Sequence, residues 1–136
     1  MAYTSTILYL GDLRTQATHC SSGSVIETDA PIDNNGKGSL FSPTDLTATS
    51  LANCMITVMG IAANASKIDF KNVKASVKKV MASEPRRISE IHVTIEIHHS
   101  WSEKEKSRMQ HIALNCPVAK SLHPTIQQIV EFKYLD

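Results

Sequence analysis

Between Asp45 and Lys67 the chain carries no charged residue. Small side chains (Ala48, Ser50, Ala52, Gly60, Ala62, Ala63) alternate there with Leu46, Leu51, Met55, Ile56, Val58, Met59 and Ile61. The start of a helix is marked just upstream. Ser42 suits the N-cap, Pro43 suits the first turn, and Asp45, three residues after Ser42, completes a capping box with aspartate in place of glutamate. These signals predict a helix over 43–66, about 35 Å long at a rise of about 1.5 Å per residue. It is apolar nearly all round, so something must cover every side. The stretch is also long enough to span a bilayer. However, Thr47, Thr49, Ser50, Asn53, Thr57 and Asn64 interrupt it and no basic flank precedes it, so a buried core helix is the reading adopted and no membrane partner is expected.

The remaining segments arrange themselves around this helix. Residues 3–10 are rich in β-branched and aromatic types and read as a strand. Gly11-Asp12 makes a turn, residues 15–20 a second strand, Ser21-Ser22-Gly23-Ser24 another turn and residues 25–28 a third strand, which together form an antiparallel meander. Residues 29–41 collect Pro31, Asp33, Asn34, Asn35, Gly36 and Gly38, and read as a loop suited to binding. After the helix, Val73, Ala75 and Val77 alternate with Lys74, Ser76 and Lys78. Ile91, Val93, Ile95 and Ile97 alternate with His92, Thr94, Glu96 and His98. Glu84-Pro85-Arg86-Arg87 joins these two strands. Ser102 with Glu105 is a second capping box and opens a helix to about residue 114. Cys116 with Pro117 restarts a short helix, and residues 129–135 close the chain as a strand.

The expected order is βββ-α-ββ-α-α-β, an α+β single domain over 1–136. It divides into an N-terminal meander (1–28), a loop (29–41), the central helix (43–66) and a ββααβ half (71–136). One small sheet per half cannot wrap so long an apolar helix. An intertwined homodimer, in which a partner copy finishes the burial, is therefore expected.

At 136 residues the chain holds one real core and not two ordinary ones. A net charge of +1 supplies no strong field for nucleic acid, and none is expected as a partner. The N-terminal Met1-Ala2-Tyr3-Thr4-Ser5 shows no basic and apolar leader pattern. With three cysteines and no leader, a reducing cytoplasmic location is expected rather than a disulfide framework.

Those cysteines carry the candidate chemistry. Cys54 lies mid-helix in an apolar setting, where burial raises a thiol's pKa, so as a nucleophile it needs a cation nearby. Arg14, Arg86, Arg87 and Arg108 are the available guanidinium groups, and sequence-local reasoning does not choose among them. Cys116, as N-cap of a helix beginning at Pro117, is expected to lie near unpaired amides that favour its thiolate. Free cysteine also packs as a small hydrophobe, and two inert core thiols are the plain alternative. Cys20, beside His19 at a strand end, is expected to be incidental. No Cys-x2-Cys or His-x3-His spacing supports a zinc site among His19, Cys20, Cys54, Cys116 and His123, and neither a metal nor another cofactor is expected.

The run Phe41-Ser42-Pro43-Thr44-Asp45-Leu46-Thr47-Ala48-Thr49-Ser50-Leu51-Ala52-Asn53-Cys54-Met55, followed by Asn115-Cys116-Pro117-Val118, resembles the OsmC/Ohr superfamily of osmotically inducible and organic hydroperoxide resistance proteins. The element order resembles that fold over essentially the whole chain. The resemblance implies an intertwined dimer with thiol peroxidase activity toward organic hydroperoxides. It implies Cys54 as the peroxidatic thiol, Cys116 as the resolving thiol, Arg14 as the activating cation and an external dithiol as reductant. In the family a glutamate directly after the proline holds that arginine; here the position is Thr44. Asp45, its neighbour, and Glu27 are the candidate replacements. The competing expectation is an OsmC-like dimer that binds a small hydrophobic ligand or senses redox state without efficient turnover.

Overall fold

A computed structural model of the chain describes residues 2–135. Ten elements follow in the order β1 (Ser5–Gly11), β2 (Arg14–His19), β3 (Val25–Asp29), a 3-10 turn (Ile32–Asn34), α1 (Pro43–Ser66), β4 (Lys74–Ala82), β5 (Arg87–Ile97), α2 (Glu103–Leu114), α3 (Pro117–Ser121) and β6 (Gln127–Tyr134). This is the expected α+β order. Several bounds differ from the sequence reading: β1 is shifted to Ser5–Gly11, β2 to Arg14–His19 and β6 to Gln127–Tyr134, β3 extends to Asp29, and the following loop contains the short turn at Ile32–Asn34. The chain forms two compact units, residues 1–47 and 48–136.

In the N-terminal unit β1, β2 and β3 make an antiparallel sheet in that order. β2 and β3 pair in continuous register from Arg14↔Asp29 to Thr18↔Val25. The following loop is fastened by main-chain bonds: Asp29 N donates to the Phe41 carbonyl and Ala30 N to the Leu13 carbonyl. Gly36 is required there, because a side chain at that position would overlap the Ala30 carbonyl. Among the described residues of this unit, only Thr28, Asp29 and Ser42 are buried, and all three are polar. Ile7, Leu8, Tyr9, Val25 and Ile26 are half or more exposed. The sheet therefore has no apolar core of its own in the single chain.

The C-terminal unit is built differently. β4 and β5 pair antiparallel, β5 and β6 pair parallel, and β5 is central. The parallel pairing requires a crossover, and α2 and α3 supply it. Ile91, Val93, Ile95 and Ile97 point to one face of β5 and are fully buried. They join Leu51, Ala52, Met55, Met59 and Ala63 of α1, Met109 and Ala113 of α2, and Cys116 in one contiguous core. Trp101, just ahead of α2, belongs to the same core and stacks between the Phe70 and His99 rings. The period-two pattern of β5 is thus explained by a one-sided sheet whose inner face is covered by helices.

Each unit contributes a helix start fixed by a capping box. At α1, Asp45 N donates to Ser42 Oγ and Ser42 N to Asp45 Oδ2, both at 3.0 Å. At α2, Glu105 N donates to Ser102 Oγ at 3.1 Å and Ser102 N to Glu105 Oε1 at 2.9 Å. Each arrangement satisfies two amides that a helix start leaves without intrahelical partners. α1 is long and apolar enough to cross a membrane by length and composition. Here one face of it forms the core of a β-sheet unit, while Thr47, Asn53, Thr57 and Ile61 remain exposed in the single chain.

Candidate functional site

α1 carries Cys54 and the α2–α3 crossover carries Cys116, and the fold brings the two thiols together. Cys116 closes the core from the end of α2: its amide bonds the Ala113 carbonyl and its carbonyl accepts from Lys120 N in α3. Pro117 occupies the start of α3, where its missing N–H is no loss. α3 is tied to β6 by Gln128 Nε2, which donates to the Ala119 carbonyl at 3.0 Å. The Cys116 thiol, 1% exposed, lies close enough to the half-buried Cys54 thiol for the two to influence each other's protonation. Two sulfurs far apart in the sequence are thus neighbours within a single chain.

Burial pushes the Cys116 thiol above its ordinary pKa, and the neighbouring Cys54 thiol pushes it further. The Val118 and Ala119 amides pull the other way without offsetting this, and the sulfur makes no capping hydrogen bond to the helix start. The expectation that Cys116 is the thiolate-favouring cysteine is therefore corrected. A five-residue helix offers few aligned amides, and desolvation outweighs them. Burial therefore favours the protonated form of Cys116. The more accessible sulfur of the pair is Cys54.

Arg14 belongs to the N-terminal unit, and its partner was not identified by the sequence. Arg14 Nε donates to Asp29 Oδ1 at 2.7 Å, and Nη2 donates to Oδ2 at 2.9 Å. This is the bidentate fork that arginine and carboxylate geometry favours. The Asp29 side chain is 2% exposed and that of Arg14 34%. The Arg14 hydrogen bonds hold the Asp29 carboxyl below its usual range, against desolvation, and the nearby Ser39 backbone adds to this. The candidate carboxylates Asp45 and Glu27 are thereby corrected. Asp45 serves the Ser42 cap, Glu27 faces Gln16 across the strands and reaches Arg14 only through space, and Asp29 makes the fork. The antiparallel register was the signal: a second strand of residues 25–29 sets Asp29 directly opposite Arg14. Ending that strand at residue 28 hid it.

Thr44 Oγ1 lies 3.3 Å from Ser42 Oγ, so Thr44 and Asp45 both belong to the start of α1. A pocket of about 250 Å³ borders the Arg14–Asp29 pair within the N-terminal unit, walled by Tyr9, Leu13, Thr15, Thr28 and Pro31. Cys20 is exposed, and its neighbour His19 bonds Ser22 Oγ at 2.6 Å through Nδ1. Among the described residues no three His, Cys, Asp or Glu side chains form a metal-holding group.

The family model for OsmC-like protein matches residues 36–131. Among solved structures, the chain is similar to a protein from Psychrobacter arcticus 273-4 provisionally named an osmotic stress induced and detoxification response protein. That similarity is 51% identity over 97% of this chain and 96% of the other, with a TM-score of 0.94. It shares its fold with an OsmC-like protein from Mycoplasma pneumoniae (21% identity, 100% and 99% covered, TM-score 0.79). It also shares it with the organic hydroperoxide resistance protein OsmC of Legionella pneumophila (16% identity, 98% of each chain covered, TM-score 0.76). Curated protein sequences give no match. From the central helix with its thiol, through the crossover that carries the second thiol, to the last strand, the chain belongs to the OsmC-like protein family.

Proposed function

We propose that the protein is a thiol-dependent peroxidase that reduces organic hydroperoxides as a homodimer. The observation that carries this reading is the closeness of the Cys54 and Cys116 thiols within one chain. In the proposed cycle the Cys54 thiolate attacks the distal peroxide oxygen. The O–O bond breaks and the alkoxide leaves, taking a proton to become an alcohol. Cys54 is now a sulfenic acid. The Cys116 sulfur attacks the Cys54 sulfur, expelling the hydroxyl as water with the Cys116 proton, and a Cys54–Cys116 disulfide results. An external dithiol reduces it by two exchange steps.

Arg14 is proposed to supply the positive charge that favours the Cys54 thiolate and polarises the peroxide. Thr44 and Asp45 are proposed to support the site by fixing the start of the helix that carries Cys54. The dimer is supported by the apolar side chains that β1, β3 and the outer stripe of α1 expose in a single chain (Ile7, Leu8, Val25, Ile26, Ile61). The buried state of Cys116 and the accessibility of Cys54 support the assignment of attacker and resolver.

Two measurements test the proposal. With dithiothreitol as reductant, wild type should consume cumene hydroperoxide, and Cys54→Ser should fall to the uncatalysed rate. Equal rates would leave the second reading, a dimer that binds a small hydrophobic ligand, which the pocket of about 250 Å³ favours. With one equivalent of the peroxide, Cys116→Ser should trap Cys54 as sulfenic acid by mass spectrometry. Oxidation at Cys116 in Cys54→Ser, with none at Cys54 in Cys116→Ser, would reverse the roles.

A further inference from the structure

We propose that Asp29 is a positioning residue for the reaction, acting through Arg14 and tying the 30–41 loop to that guanidinium; the inference rests on the peroxidase reading. Three bonds converge on it. Its two carboxylate oxygens take Arg14 Nε and Nη2 at 2.7 and 2.9 Å. The nearby Ser39 backbone also favours the charged carboxylate. Its own amide donates to the Phe41 carbonyl at 3.1 Å. One buried side chain therefore joins β2, β3 and the loop that leads into α1.

The chemistry of the fork says what Asp29 does. A guanidinium has five N–H donors on a rigid plane. The fork uses Nε–H and one Nη2–H, which fixes the plane and turns the remaining N–H groups, on Nη1 and Nη2, away from Asp29. Arg14 stays partly exposed while its partner is almost completely buried. A long arginine side chain is thus converted from a mobile charge into one with a defined direction. The support comes from a cross-strand pair, Arg14↔Asp29, and so moves with the sheet. The position directly after the helix proline, where the resemblance implies a carboxylate, holds Thr44 and cannot do this. Thr15 and Thr28, the adjacent cross-strand pair, hydrogen-bond through their hydroxyls and brace the same end of the sheet. Lys37 and Glu27 are the other charges that act on the pair.

The test uses the full chain and two readouts. The first is the second-order rate of Cys54 oxidation by cumene hydroperoxide. The second is the pH profile of Cys54 alkylation by iodoacetamide in Cys116→Ser, Cys20→Ser protein, which needs no turnover. Asp29→Asn should slow oxidation about tenfold, as a loosened guanidinium loses alignment, and should move the alkylation profile to higher pH. Asp29→Glu should recover part of both. In an Arg14→Gln background Asp29→Asn should change neither further. Full additivity of Asp29→Asn and Arg14→Gln, or a wild-type profile in Asp29→Asn, overturns the inference. Wild-type protein that consumes no peroxide overturns the peroxidase reading instead, while the alkylation profiles still decide whether Asp29 acts through Arg14. If Asp29→Asn does not fold, the Asp29→Glu and Arg14→Gln pair carries the same cycle.

Discussion

The two units of this chain answer the same problem in opposite ways. The C-terminal unit fills its sheet face with its own helices, and its central strand carries four side chains with 1% exposure or less. Among its described residues the N-terminal unit buries only Thr28, Asp29 and Ser42, and leaves Ile7, Leu8, Tyr9 and Ile26 at 51% to 65% exposure. A three-stranded sheet without cover is at best marginal in water. The C-terminal unit is organised by packing. The N-terminal one is organised by hydrogen bonds and an ion pair, and its apolar surface stays open in the single chain. The proposed chemistry takes its two thiols, one buried and one half-buried, from the C-terminal unit and its cation from the N-terminal one.

Mutations should separate the two units by size of effect. Ile95→Ala, in the filled core, should cost about 3 kcal/mol in urea denaturation, as cavity-forming substitutions do. A loss below about 1 kcal/mol would mean the core is less tightly filled than its burial indicates. Ile7→Lys, on the bare sheet, should leave the chain folded while raising the dissociation constant of the proposed dimer at least about tenfold. Sedimentation velocity over a concentration series reads this directly, and an unchanged mass distribution would show that no second copy covers Ile7. The two capping boxes give a finer comparison. Ser102→Ala should cost about 1 kcal/mol, the usual value for an exposed cap, and Ser42→Ala should cost more because Ser42 is buried. Equal losses would remove the distinction.

The smallest effect is with pH. The Asp29 carboxyl is lowered, first by its Arg14 hydrogen bonds. Its stabilising contribution is therefore complete above its unfolded value of about 3.9. It is lost as pH falls through the folded value. Melting temperature should decline less steeply below about pH 4 in Asp29→Asn than in wild type. Parallel acid limbs would show that the fork adds no stability.

The legible parts of the sequence were the local ones. The bounds of α1 follow from Ser42, Pro43 and Asp45, and a cap is a contact between residues three apart. β5 was legible because one covered face gives strict alternation. Asp29 was not, because its role depends on strand register, and one residue of strand length decided whether it faced Arg14. The Cys116 thiol is not legible because a helix start is visible in sequence while desolvation within the core is not. Trp101 gave no signal at all: its burial comes from Phe70 and His99, which are not its helical or strand neighbours.

That single tryptophan has a practical consequence. Enclosed by Phe70, His99 and, edge-on at 6.2 Å, Tyr134, the indole emits from one half of the molecule only. Its spectral shift will register collapse of the thiol-bearing half and stay silent while the meander frays. Tyr3 and Tyr9 are the chromophores of that meander. An optical melt followed at the indole therefore reports one half alone. The tyrosine signal mixes both, because Tyr134 lies beside Trp101, and replacing Tyr134 by Phe would leave the meander's tyrosines as that signal's source.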